Sequence, residues 1–195
     1  MTRYKLLSGL AAAAVLFAGV AAQAAADHEA AIKSKLLPQI KTWMQSDAVI
    51  SALNSQNQKN VGLSQGDIDA LDAKWREETK GGATPMIDSA LASALSGYLR
   101  DLKAKSGGVI TEIFVMDSRG LNVGQSDASS DYWQGDEDKW QKTYPMGPNA
   151  VFIDEVEMDE STQTFQSQVS LSVVDPASGT VIGAITVGVN IDALQ

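Results

Sequence analysis

The order of strand-like runs in the second half of the chain constrains the fold more than any other feature. Residues Val109 to Met116 are rich in β-branched and aromatic side chains and read as a strand. A turn at Asp117-Ser118-Arg119-Gly120 closes it, and a short second strand comes next at Leu121 to Ser126. A polar segment then carries four aromatic residues, Tyr132, Trp133, Trp140 and Tyr144. Three further strands are predicted, at Ala150 to Met158, Phe165 to Val174 and Val181 to Asn190. Turn residues join them, Asp159 to Thr162 and Asp175 to Gly179. Connections this short make sequential strands antiparallel neighbours.

The strands are two-faced. In the first, Ile113 and Val115 oppose Glu112, Phe114 and Met116; in the fourth, Val169, Leu171 and Val173 oppose Gln166, Gln168, Ser170 and Ser172. The apolar set of the fourth is predicted to pack on a helix. Its polar set either meets solvent or lines a cavity under the aromatic segment. Gly183 and Gly188 leave the last strand without side chains where another element can approach closely.

The first half reads as helical. From His28 to about Ser55, Ile32, Leu36, Ile40, Trp43, Met44, Ile50 and Leu53 form one stripe at steps suited to a buried helix face. Pro38 is expected to kink this helix or restart it, and Asp47 marks a second break. Asn54 to Val61 is polar enough to be a loop. Ser64, with Asp67 three residues on, predicts a capped helix carrying Ile68, Leu71 and Trp75, ended by Lys80-Gly81-Gly82. A third helix is predicted from Pro85 to Lys105. At helical spacing, Trp43 and Trp75 are core residues rather than ligand stackers.

The extreme N-terminus stands apart. Arg3 and Lys5 precede an uncharged apolar run from Leu6 to Val20, then small residues to Ala26. That pattern predicts a secretory signal peptide over residues 1–26; an uncleaved anchor is the alternative, against which the small residues argue. The rest of the chain suffices for one domain, helical over residues 27–108 and sheet-forming over 109–195. The protein is expected to be exported, soluble and periplasmic. With no cysteine and one histidine, His28, thiolate metal sites and Ser–His or Cys–His catalysis lack their parts. The chain is read as non-enzymatic and without cofactor. Its formal charge of −9 disfavours nucleic acid.

Three blocks carry a resemblance: Leu37-Pro38-Gln39-Ile40-Lys41-Thr42-Trp43, Leu63 to Asp72 leading into Lys74-Trp75-Arg76, and above all Asp131-Tyr132-Trp133-Gln134-Gly135-Asp136-Glu137 with Lys139-Trp140. In them the chain resembles the Cache family of extracytoplasmic PAS-like (PDC) sensor domains, more closely its standalone exported members. The resemblance implies an α+β fold with a PAS-like five-stranded antiparallel sheet, a long N-terminal helix across one face, and a ligand pocket on the other. The chain ends at Gln195, where receptors of the family enter a membrane helix. It is therefore expected to act through a separate membrane receptor or kinase partner, or as a protein-interaction adaptor with a self-filled pocket.

Tyr132, Trp133, Trp140 and Tyr144 fall on the segment that the family places over its pocket, and they are the expected wall residues. Trp133 and Trp140 share a face if one helix carries both; regular helix is expected only from Gly135, with Asp136, Glu137 and Asp138 in its first turn. One or both tryptophans are alternatively anchors of the segment. Asp154, Gln168 and Ser170 are the expected polar contacts, Asp154 toward a cationic group. The ligand classes implied are small carboxylates, amino acids and amines. No calcium-loop spacing occurs among the acids from Asp127 to Asp138, and no metal site is expected.

Overall fold

A computed structural model of the chain describes residues 28–159 and 164–194. The expected leader and most of the turn from Asp159 to Thr162 lie outside the described residues.

The N-terminal stripe is buried at Ile32, Leu36, Ile40, Val49 and Leu53, in helical pieces rather than one rod. Pro38 lacks an amide hydrogen, and its ring would press on the carbonyl of Ser34. The backbone widens ahead of it: Ile32–Leu36 is a π-helical turn in which Leu37 N–H bonds to the Ile32 carbonyl. Helix α1 (Leu37–Trp43) then begins with Pro38 in its first turn. Ser46 caps the next helix, α2 (Asp47–Asn60), its hydroxyl accepting from Val49 N.

Helix α2 corrects one expectation, because the loop predicted from Asn54 to Val61 is helical as far as Asn60. Its polar side chains look unhelpful to a helix in isolation. Gln56, Asn57 and Asn60 reach instead into the sheet, to Asp117, Asn122 and Ile182. Tertiary hydrogen bonds override weak propensity here.

Helix α3 (Gln65–Glu78) starts with the capping box read from Ser64 and Asp67. The helix expected from Pro85 to Lys105 is divided into α4 (Pro85–Leu91) and α5 (Ala94–Lys105). Ser93 is extended and caps α5, its hydroxyl accepting from Ser96 N at 3.1 Å. Leu95 then packs tightly on the sheet: a Cβ added to Gly124 would lie 2.6 Å from Leu95 Cγ.

The strands are β1 (Ile110–Asp117), β2 (Asn122–Gln125), β3 (Val151–Ile153), β4 (Glu157–Asp159), β5 (Thr164–Val174) and β6 (Val181–Asn190). All pairings are antiparallel, in the order β2-β1-β6-β5-β3, and β4 pairs with β5 beside β3. This is the expected α+β, PAS-like sheet of five positions, its outer position split. The strand expected from Ala150 to Met158 breaks after Ile153, so Asp154 is not inside a strand. Its carboxylate accepts the next amide, Glu155 N, at 2.9 Å, a local bond that competes with the ladder.

One sheet face carries Ile113, Val115, Val169, Leu171, Val173, Ile185 and Val187 into a common core with the helices. Gly183 lets α2 close on it, since a Cβ there would meet Leu53 Cδ2 at 2.6 Å. Trp75 is completely buried and Trp43 is packed against this core. Among the described residues, no helix is long and apolar enough to cross a membrane.

Candidate functional site

The turn between β1 and β2 organises everything around the opposite sheet face. Asp117 is fully buried, yet its carboxylate has no ion-pair partner among the described residues. Four donors satisfy it instead. Oδ1 accepts from the amides of Arg119 (2.8 Å) and Leu121 (3.0 Å), and Oδ2 accepts from Gln56 Nε2 (3.0 Å) and Asn60 Nδ2 (2.7 Å). Two tryptophans hold the carbonyls of the same turn. Trp133 Nε1 donates to Arg119 O at 2.9 Å, and Trp140 Nε1 donates to Asp117 O at 3.1 Å. Arg119 is half-buried and donates to Leu63 O.

Helix α6 (Asp138–Gln141) and a 3-10 turn, Tyr144–Met146, lie over that face. Trp140 and Tyr144, four residues apart, stack with centroids 5.0 Å apart and cover Phe114, Met116 and Ala184. Below them Ser170 and Thr186, both fully buried, share a hydroxyl hydrogen bond of 2.9 Å, and Ser172 donates to Thr143 O at 2.8 Å. The centre of the face is thus filled by its own side chains.

A cleft of about 410 Å³ opens beside this filled centre, between the start of α6 and the split outer strand. Glu137, Asp138, Asp154, Glu155 and Glu157 line it, with Lys139 as the cation among the lining residues and Gln168 on its floor. Lys139 is well covered, its side chain 14% exposed; it pairs with Glu137 at 2.7 Å and lies over the Phe114 ring. Asp138 pairs with Lys142 at 2.7 Å. Beneath the floor, Gln168 Nε2 donates to Glu112 Oε1 at 2.8 Å. Burial pushes the Glu112 carboxyl above the ordinary range, with the Gln168 bond and the Lys139 charge acting against that rise. Asp154, Glu155 and Glu157 are left without a salt-bridge partner among the described residues. A pocket of this volume admits a small organic molecule, and its field favours a cationic group.

The sequence-predicted residues are dispersed. Asp154 and Gln168 line the cleft. Trp140 and Tyr144 cover the adjoining face, while Ser170 is sealed beneath. Trp133 and Trp140 do not share a helical face: Trp133 is extended, bridged to Leu121, and regular helix starts at Asp138 rather than Gly135. Gly135 is needed for contact, not for helix initiation, since a Cβ there would collide with Trp133 Nε1. Of the three acids expected in the first turn, only Asp138 is there; Glu137 is the N-cap. Tyr132 turns away to the helical side and stacks on Trp75 at 5.4 Å. Glu155 and Glu157 were not legible as site residues, because the break after Ile153 that exposes them to the cleft has no strong breaker in the sequence. Among the described residues, no group of three or more potential ligands is placed to hold a metal ion.

No protein-family model matches this sequence, and no curated protein matches it. Solved structures do. The chain is similar to the sensor domain of the V. cholerae histidine kinase DctB, with a TM-score of 0.51 and 11% identity over 93% of this chain and 58% of that one. It is also similar to the ligand-binding domain of the Campylobacter jejuni chemoreceptor Tlp3 in complex with 4-methylisoleucine (TM-score 0.41, 13% identity, 79% of this chain and 64% of that). A third is the ligand-binding domain of the Pseudomonas aeruginosa PAO1 amino acid chemoreceptor PctC in complex with GABA (0.42, 13%, 81% and 61%). The chain therefore spans less than two thirds of each of these structures. The likeness to DctB is one of fold: this is a Cache-like sensor-domain fold.

Proposed function

We propose that the chain is a single exported Cache-type unit, residues 27–195 after a signal peptide at 1–26, that binds a small amine-bearing molecule in the periplasm and reports to a separate membrane receptor or kinase. It acts without catalysis and does not bind nucleic acid. The observation that carries this reading is the cleft beside α6, where Asp154, Glu155 and Glu157 lack salt-bridge partners among the described residues. An ammonium group there meets several carboxylates at once. A panel of diamines, basic amino acids and dicarboxylates tests it by thermal shift. A binder at a hundredfold excess over its Kd stabilises the native state by about 2.7 kcal/mol, roughly 5–10 °C for a domain of this size. We expect that shift from amines, and its loss in an Asp154→Asn, Glu155→Gln, Glu157→Gln variant. Stabilisation by dicarboxylates alone refutes it.

The filled centre of the face favours a second reading, the adaptor without a metabolite ligand. Trp140, Tyr144 and the Ser170–Thr186 pair occupy the ground under the aromatic segment. No shift across the whole panel, together with capture of a membrane partner by the unliganded protein, is the outcome that supports it.

A further inference from the structure

We propose that the cleft enclosed by α2, α3, α4 and the β2 edge is a second binding site, selective for a small organic carboxylate with an apolar body. This cleft, of about 620 Å³, lies on the helical side, away from the acidic cleft. Its charge is the reverse of that of the acidic cleft. The chain carries 24 acidic residues and a net charge of −9, yet no Asp or Glu lines this cleft, whereas Lys59 of α2 and Lys74 of α3 do. Both lysines are exposed, and neither forms an ion pair among the described residues. Two unpaired ammonium groups from different helices at one cleft define an anion position.

Below them the walls are apolar, from Leu71, Met86 and Val123. The polar floor is held in place before any ligand arrives. Gln56 donates both to Asp117 and to Asn122 O, and Asn122 N donates to Tyr132 O at 3.0 Å. Tyr132, stacked on Trp75, supplies a rigid wall. Burial raises its phenol to about 12, so it stays neutral and does not repel an anion. A carboxylate between the lysines with its hydrocarbon against Leu71, Met86 and Val123 uses every wall. A bare inorganic anion uses only the rim, and an amine meets like charge.

Calorimetric titration of the full chain with benzoate, hexanoate, inorganic phosphate and putrescine tests this assignment. We expect saturable binding of benzoate or hexanoate, no competition from putrescine, and phosphate weaker by about tenfold or more. Because the two lysines are exposed, a Lys59→Gln, Lys74→Gln variant should melt as the wild type does and lose about tenfold in affinity. The assignment is overturned if neither acid binds, if the double variant binds equally well, if phosphate matches the acids, or if putrescine displaces them. The amine reading of the acidic cleft survives or fails separately, since its own variants lie on the other side of the sheet.

Discussion

Replacing Asp117 tests whether the β1–β2 turn is held by its buried carboxylate. Truncation to alanine leaves four donors without an acceptor: two backbone amides and the side-chain amides of Gln56 and Asn60. Hydrogen bonds to a charged group contribute about 1.5–3 kcal/mol each but do not add within one network. A buried donor left unsatisfied costs about 1–3 kcal/mol, and with four donors stranded in one network we expect Asp117→Ala to lose about 3–5 kcal/mol in all. With a urea m of about 2 kcal/mol/M, the midpoint falls by about 2 M at unchanged slope. Asp117→Asn should cost less. Its oxygen still serves Arg119 and Leu121, but its NH2 then opposes Gln56 and Asn60. Gln56 cannot flip to relieve this without losing its bond to Asn122 O. Equilibrium urea unfolding, followed by tryptophan fluorescence because Trp133 and Trp140 bind the same turn, reads both variants. An alanine variant within about 1 kcal/mol of wild type, or no coupling between Asp117 and Asn60 in a double-mutant cycle, refutes the argument.

Three further outcomes are expected. Glu112 has a folded pKa raised above its ordinary value of 4.5, so its contribution to stability is present below that value and is lost as pH rises through the folded one; Glu112→Gln should therefore gain urea stability over wild type at pH 7, and the gain should vanish in acid. Gly120 has φ +80°, and a Cβ there would lie 2.5 Å from Gly135 Cα, so Gly120→Ala should lose about 2–4 kcal/mol in the same assay. Trp75→Ala removes a fully buried ring, its stack on Tyr132 and its bond to Ser129 O, and a thermal melt should report a loss of about 3–5 kcal/mol.

Much of the candidate site was hidden from sequence reasoning because the aromatic segment does not act as a unit. Tyr132 and Trp133 are adjacent in an extended stretch and necessarily point apart; one reaches Trp75 and the other the Arg119 carbonyl. Trp140 and Tyr144 do act together, because they are four residues apart across a helical turn. Gln168 was legible from strand alternation alone. The lysine-lined cleft had no linear signature, since Lys59 and Lys74 belong to helices that meet only in three dimensions.

Local chemistry written in the chain was sufficient to determine the two faces of the sheet, the capping box at Ser64 and Asp67, the interruption at Pro38 and the antiparallel pairing of strands joined by short turns, because each depends on residues a few positions apart. Tertiary structure alone decided that Asn54 to Asn60 is helix and that the outer strand splits at Asp154. It also decided that Asp117 is sealed without a counter-ion among the described residues and that the face under α6 is filled by its own side chains. Those outcomes depend on partners far away in sequence. A buried polar group is tolerated only where distant elements bring donors to it, as Gln56 and Asn60 do for Asp117.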